Sequence, residues 1–244
     1  MSSMLLWHGW GMQPQIWQPL TETLRAQHGV HAQAMPLPGY AGSAAPHPHR
    51  ARNAVHAMLA DVAAPVTLCG WSLGAMLAMQ AACLQPDKVA RLILIGASPS
   101  FVTRPGWEHG IAPAMLDGFA AALATRPAAV MRHFISLCHR GDAQAARIGG
   151  EMASLPCALP ATDVLTAGLA MLGDMDLRQA ISELTQPVLL LHGMHDALVP
   201  PQAAAWLRER LPQVRLDILP CAGHAPFLSD PHHCVAAIAR FLHD

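Results

Sequence analysis

The chain is punctuated by short, almost wholly apolar runs, among them RLILIG and PVLLLHG, that alternate with longer stretches of helical spacing. Alternating short apolar runs and helical patterns are the signature of βαβ units and a parallel sheet. Strands covered on both faces read as continuous apolar runs rather than alternating ones, and these do. The pattern predicts strands at Met4–Trp7, Val30–Met35, Val66–Cys69, Leu92–Ile95, Val188–Leu191 and Leu216–Leu219. Helices are expected over Pro14–Ala26, Ala51–Val62, Leu73–Leu84, Gln202–Arg210 and Cys234–Leu242. Right-handed crossovers would place them on both faces of the sheet.

Between Ser98 and Pro187 the rhythm changes. No strand-like run occurs there, and prolines 113, 127, 156 and 160 divide it into helical pieces of about ten to fifteen residues. The expectation is one α/β core, residues 1–98 and 187–244, with an all-helical cap inserted at 99–186. An insertion at the carboxyl end of a strand sits where open α/β sheets bind ligands.

Composition narrows the partners. Of 244 residues 52% are hydrophobic and 13% charged, and 15 Lys and Arg oppose 16 Asp and Glu for a net charge of −1. So apolar a chain buries a large core, which excludes disorder. So neutral a chain has no global field for nucleic acid or an anionic membrane. No apolar run reaches the ~18 residues of a membrane span, and no secretory signal is visible at MSSMLLWHGWG. A cytoplasmic protein is expected. The six cysteines (69, 83, 138, 157, 221 and 234) are scattered and read as reduced, buried thiols. His232, His233 and Cys234 are adjacent, but neighbouring side chains diverge on a helix, so no metal site is expected.

The sharpest local signal is Gly70-Trp71-Ser72-Leu73-Gly74, between the strand-like VTLC and the helical LGAMLAMQAACL. G-x-S-x-G between a strand and a helix is the nucleophile elbow, which holds a serine Oγ above the sheet. The following helix aims its amino-terminal dipole at the same point. A glycine-flanked turn with a capping serine has the same local sequence. A serine nucleophile needs a base and the base needs an orienting carboxylate, in the chain order Ser, acid, His. Asp196 in VLLLHGMHDALVP and His224 in LDILPCAGHAPFLSDP both follow predicted strands in that order. Taken singly, a turn-forming Asp and an exposed loop His would also satisfy these positions. His8-Gly9-Trp10-Gly11 follows the first strand, where the second donor to a tetrahedral oxyanion resides. The two donors are then the backbone N–H groups of Trp10 and Leu73, each worth ~3 kcal/mol to such an intermediate.

On HGWG, LPGYAGS, GWSLG, HGMHDALVP and AGHAPFLSDP the chain resembles the α/β-hydrolase family over nearly its whole length. Within it the likeness is to the carboxylesterases that demethylate pimeloyl-acyl carrier protein methyl ester in biotin synthesis. It rests on Trp10, Trp71, GASPS, LPATDVL, MDLRQ and the APF after His224. The resemblance implies Ser72 as nucleophile, His224 as general base and acid, and Asp196 as orienting acid, with no cofactor. It implies that Trp10, Met12, Trp71, Leu73 and Phe134 bind the substrate, with Met12, Trp71 and Phe134 flanking an extended acyl chain. It also implies docking of an acidic acyl carrier protein on basic cap residues, here Arg126, Arg132, Arg140 and Arg147, which give residues 126–147 a surplus of three positive charges. Two departures from the family's pattern stand out. Amino-terminal hairpin strands are missing, so one sheet edge is expected to be shorter, and the cap is shortened around Gly141–Ser154. A broad carboxylesterase, a lactone, thioester or C–C hydrolase, and a non-catalytic ligand receptor are the competing functions on the same fold.

Overall fold

The computed structural model describes residues 3–43, 51–155 and 159–244. Six strands form one sheet: β1 (Met4–Trp7), β2 (Ala32–Met35), β3 (Val66–Trp71), β4 (Val89–Ile95), β5 (Val188–Gly193) and β6 (Val214–Leu219). Their order is β2-β1-β3-β4-β5-β6, and every pairing is parallel. β1, β3 and β5 are buried at every position, the physical counterpart of their unbroken apolar sequence.

The core helices are α1 (Gln18–His28), α2 (Ala51–Met58) and α3 (Leu73–Leu84). Between β4 and β5 lie α4 (Pro113–Leu123), α5 (Pro127–Cys138), α6 (Ala145–Ser154) and α7 (Thr162–Asp174). The chain closes with α8 (Pro201–Arg210), α9 (Pro226–Ser229) and α10 (Pro231–His243). α1 packs on α10 and α2 on α3, so the sheet is flanked by separate helical layers. No described helix is long and apolar enough to cross a membrane.

Most elements end a few residues from the predicted bounds, and three of the differences have a clear local reason. β2 begins at Ala32 rather than Val30 because Gly29, at φ 64°, ends α1 and turns the Val30 N–H back onto the Leu24 carbonyl. The helix expected from Pro14 starts as a 3₁₀ turn, Pro14–Trp17, before α1. Pro19 in the first turn of α1 has no N–H to continue an α-helical ladder through it. The segment after β4 is not helical throughout: residues 99–112 form a loop closed by isolated bridges Ser100–Asp176, Val102–Ile111 and Arg104–Trp107. Arg178 pairs with Asp176 at 2.7 Å and donates to the Pro105 carbonyl, fastening the two ends of the inserted segment together.

The five cysteines among the described residues form no disulfide, and Cys157 lies outside those residues. Cys69, Cys138 and Cys234 are buried as expected, but Cys83 is half-buried and Cys221, in the loop after β6, is exposed. His233 is held by Asp217 at 2.8 Å in a part-exposed pair.

Candidate active site

Parallel register brings the carboxyl ends of the strands to one edge: Trp7 is level with Gly70, Trp71 with Ile95, and Gly193 with Leu219. The sequence-predicted residues leave the sheet at that edge. Ser72 follows β3, the His8–Met12 loop follows β1, Asp196 follows β5, and His224 follows β6.

Ser72 sits at φ 57°, ψ −118°, one of two described non-glycine residues with positive φ. Such a conformation costs of order 1–3 kcal/mol and persists only where its surroundings impose it. Here the Ser72 N–H donates to the Ile95 carbonyl at 2.9 Å, and the N–H groups of Ala75 and Met76 close onto the Ser72 carbonyl. Gly74 packs against the carbonyl of Trp7 and Gly70 against the backbone of Gly74, leaving no space for a Cβ at either. The two glycines thus let the α3 amino terminus wedge against β1.

His224 and Asp196 meet beside this elbow. Their side chains are wholly buried, and Nδ1 of His224 lies 2.6 Å from Oδ2 of Asp196. The other carboxylate oxygen accepts the N–H groups of Leu198 and Val199 at 2.9 and 2.8 Å. Burial opposes ionisation of Asp196, but His224, these amide donors and His192 together hold its carboxyl below the usual range. An ionised Asp196 requires the proton on His224 Nδ1, which leaves the Nε2 lone pair available. Nε2 is buried and has no hydrogen-bond partner among the described residues. Gly96, next to the residue that holds the Ser72 N–H, faces the His224 ring, and Gly9 faces both Trp71 and Cβ of Ser72. Serine, imidazole and the His8–Met12 loop therefore share one neighbourhood. An imidazole oriented in this way can remove a proton from a hydroxyl.

No acceptor for the backbone N–H of Trp10 or of Leu73 is found among the described residues. The loop that carries Trp10 is tied by His8, to which the sequence assigned no role. The Leu37 N–H donates to His8 Nε2 at 3.1 Å, so Nδ1 carries the proton and donates to the Gly9 carbonyl at 2.9 Å. Burial lowers the His8 pKa to about 4 and keeps the ring neutral. Tyr40, whose hydroxyl burial raises to about 12, accepts the Gly11 N–H at 3.1 Å.

The residues assigned to acyl binding have distinct surroundings. Trp10 is buried, donates its indole N–H to the Leu165 carbonyl of α7 at 2.8 Å, and meets Phe134 edge-on at 4.8 Å. Leu73 is buried beneath the same helix, near Gly168. Met12 lines a cavity of about 180 Å³ with Met131, Ile135 and Met152. Trp71 stands behind the imidazole, its ring 5.6 Å from that of His224 and its N–H on the His224 carbonyl.

The four arginines divide. Arg126, Arg132 and Arg140 are exposed, with no ion pair among the described residues. Arg147 is engaged: it pairs with Glu151 at 2.8 Å and donates to the carbonyls of Leu228 and Ser229. Asp142, the one acid in that stretch, is turned inward and buried. Among the described residues no group of three His, Cys, Asp or Glu side chains gathers as metal ligands.

Residues 4–237 match the α/β hydrolase family, and the chain belongs to it. It is 42% identical to a pimeloyl-[acyl-carrier protein] methyl ester esterase of Aromatoleum aromaticum, over 96% of each chain. A protein of the same name from Nitrosospira multiformis is 33% identical over 98% of this chain and 93% of that one. Among solved structures, an esterase from Exiguobacterium antarcticum superposes with a TM-score of 0.89 at 19% identity, covering 100% of this chain and 92% of that one. A bromoperoxidase from Bacillus anthracis gives 0.87 at 17% identity with the same coverage. At such identities these two structures speak for the fold alone.

Proposed function

We propose that this protein is a cytoplasmic serine carboxylesterase that hydrolyses the methyl ester of pimeloyl-acyl carrier protein to the free acid and methanol. The buried 2.6 Å contact between His224 and Asp196, at the edge where the Ser72 elbow emerges, is the observation that carries the hydrolase reading. The substrate rests on the names of relatives similar over nearly the full chain.

In this reading Ser72 Oγ attacks the ester carbonyl while His224 Nε2 takes the hydroxyl proton. The oxyanion is met by the N–H groups of Trp10 and Leu73. The proton passes from His224 to the departing methoxide, releasing methanol and leaving an acyl-Ser72 ester. Water, deprotonated by His224, attacks that ester, and collapse frees the carboxylate and returns the proton to Ser72. Asp196 holds the ring and stabilises the imidazolium between the steps.

Residues 99–186 would act as a cap over this centre, with Met12, Trp71 and Phe134 beside the acyl chain. The carrier protein would dock on the α5 side through Arg126, Arg132 and Arg140. Arg147, already bound to Glu151 and two carbonyls, would contribute least.

Hydrolysis of a short p-nitrophenyl ester by wild type and Ser72→Ala tests the chemistry. Turnover in wild type that is lost in the variant supports it, and equal rates sink it. Complementation of a biotin-requiring strain that lacks the esterase tests the substrate; a well-expressed protein that fails to restore growth excludes it.

A further inference from the structure

The turn between α5 and α6 carries a buried carboxylate that the proposed chemistry does not use. Asp142 is 7% exposed. Its Oδ2 accepts the Gly223 N–H at 2.7 Å, and its Oδ1 accepts the Gln144 N–H at 2.7 Å and the Ser229 hydroxyl at 3.0 Å. No Lys, Arg or His pairs with it among the described residues. A buried carboxyl group is costly unless its oxygens are hydrogen-bonded, and here three donors from two segments satisfy them.

Gly223 immediately precedes His224, and the same turn grips the residues around it. The His224 N–H donates to the Cys138 carbonyl at 2.9 Å, and the Ala143 N–H to the Cys221 carbonyl at 3.0 Å. On the other side the Ala222 carbonyl accepts the His195 N–H at 2.9 Å, and the His224 carbonyl accepts the Trp71 indole. The backbone from Cys221 to His224 is thus clamped between the inserted segment and the core. Asp142 is the side chain through which the inserted segment grips that backbone, accepting on both carboxyl oxygens. An asparagine could replace it only in part, because its amide NH₂ would face a donor on one side where the carboxylate accepts on both oxygens.

We propose that Asp142 is a positioning residue: it fixes the Gly223–His224 peptide so that Nδ1 stays on Asp196 and the free Nε2 keeps the orientation that this contact gives the ring. This rests on the reading of His224 as the base. Through Asp142 the inserted segment sets the geometry of the base.

The experiment compares wild type, Asp142→Ala, Asp142→Asn and Ser229→Ala on a p-nitrophenyl ester. The far-downfield proton resonance of His224 Nδ1–H, recorded without substrate, is the second readout. Misplacement of a reacting group by about 1 Å costs on the order of 10²-fold. Asp142→Ala is therefore expected to lower kcat roughly 10- to 100-fold, with KM held within about threefold and the Nδ1 resonance broadened or moved. Asp142→Asn should fall between it and wild type. Ser229→Ala, which leaves Gly223 bonded, should stay within about twofold. Unchanged kcat and resonance in the Asp142 variants would overturn the proposal, as would an equal loss in Ser229→Ala. Should Asp142→Ala fail to fold, Asp142→Asn decides by the same two readouts. A wild type with no esterase turnover would overturn the hydrolase reading instead, and the resonance would still decide the role of Asp142.

Discussion

Trp71 donates its indole N–H to the main-chain carbonyl of His224 at 2.8 Å, so the residue before the elbow serine also holds the histidine loop. Trp71→Phe keeps an aromatic ring and removes that donor, leaving a buried carbonyl unpaired at a cost of about 1–3 kcal/mol. The expected result is a kcat roughly tenfold lower with little change in KM for a small ester, measured by steady-state kinetics. Wild-type kcat would show that the bond does not set the position of the histidine.

Gly168 of α7 faces Trp10, and a Cβ there would lie 2.5 Å from Cδ1 and 3.0 Å from Nε1 of the indole. The indole is buried and tied to Leu165, so it cannot swing aside. Gly168→Ala should therefore lift α7 off the Trp10 loop, destabilising the protein by about 1–3 kcal/mol and lowering esterase activity. By contrast Gly118→Ala, at an exposed position of α4 with open space at its Cβ, should gain about 0.5–1 kcal/mol. Denaturant titration of both variants tests the pair, and equal effects would contradict it.

Buried histidine makes the fold acid-sensitive. His8 has a folded pKa of about 4 against an ordinary 6.5, because burial penalises its charged form. As pH falls from 6.5 toward 4 the unfolded chain takes up a proton that the folded chain refuses. Stability is full above that window and falls within it by about 1.4 kcal/mol per pH unit. His192, also lowered by burial, acts with the same sign. Unfolding free energies measured across the window should show this slope, reduced in His8→Gln; identical slopes would exclude His8 as a contributor.

Charge reversal separates docking from chemistry. Arg132→Glu and Arg140→Glu should reduce kcat/KM on the carrier-bound ester about tenfold or more, by weakening long-range attraction to an acidic partner, and spare p-nitrophenyl esters. Raising the salt concentration should shrink the difference. Equal losses on both substrates would remove these arginines from a docking surface.

The sheet and the elbow were legible because their signals are local. RLILIG and PVLLLHG had to be buried on both faces, and GWSLG carries its own turn chemistry. Asp196 and His224 were legible through order and position after strands, although each alone matched an ordinary loop residue. Long-range bonds were not legible. Asp142 showed no role in the sequence, because its partner Gly223 lies 81 residues away. His8 showed no role because its role comes from the Leu37 N–H on a neighbouring loop. The loop at 99–112 was invisible as well, since one of its bridges depends on Asp176 at the far end of the insertion.

The most direct measurement is mass spectrometry of pimeloyl-acyl carrier protein methyl ester incubated with wild type and with Ser72→Ala. Loss of the methyl group at catalytic enzyme concentration with wild type, and none with the variant, is the expected result. Demethylation that survives in Ser72→Ala, or none with a folded wild type that turns over small esters, would contradict the assignment of this chain as a serine esterase for that substrate.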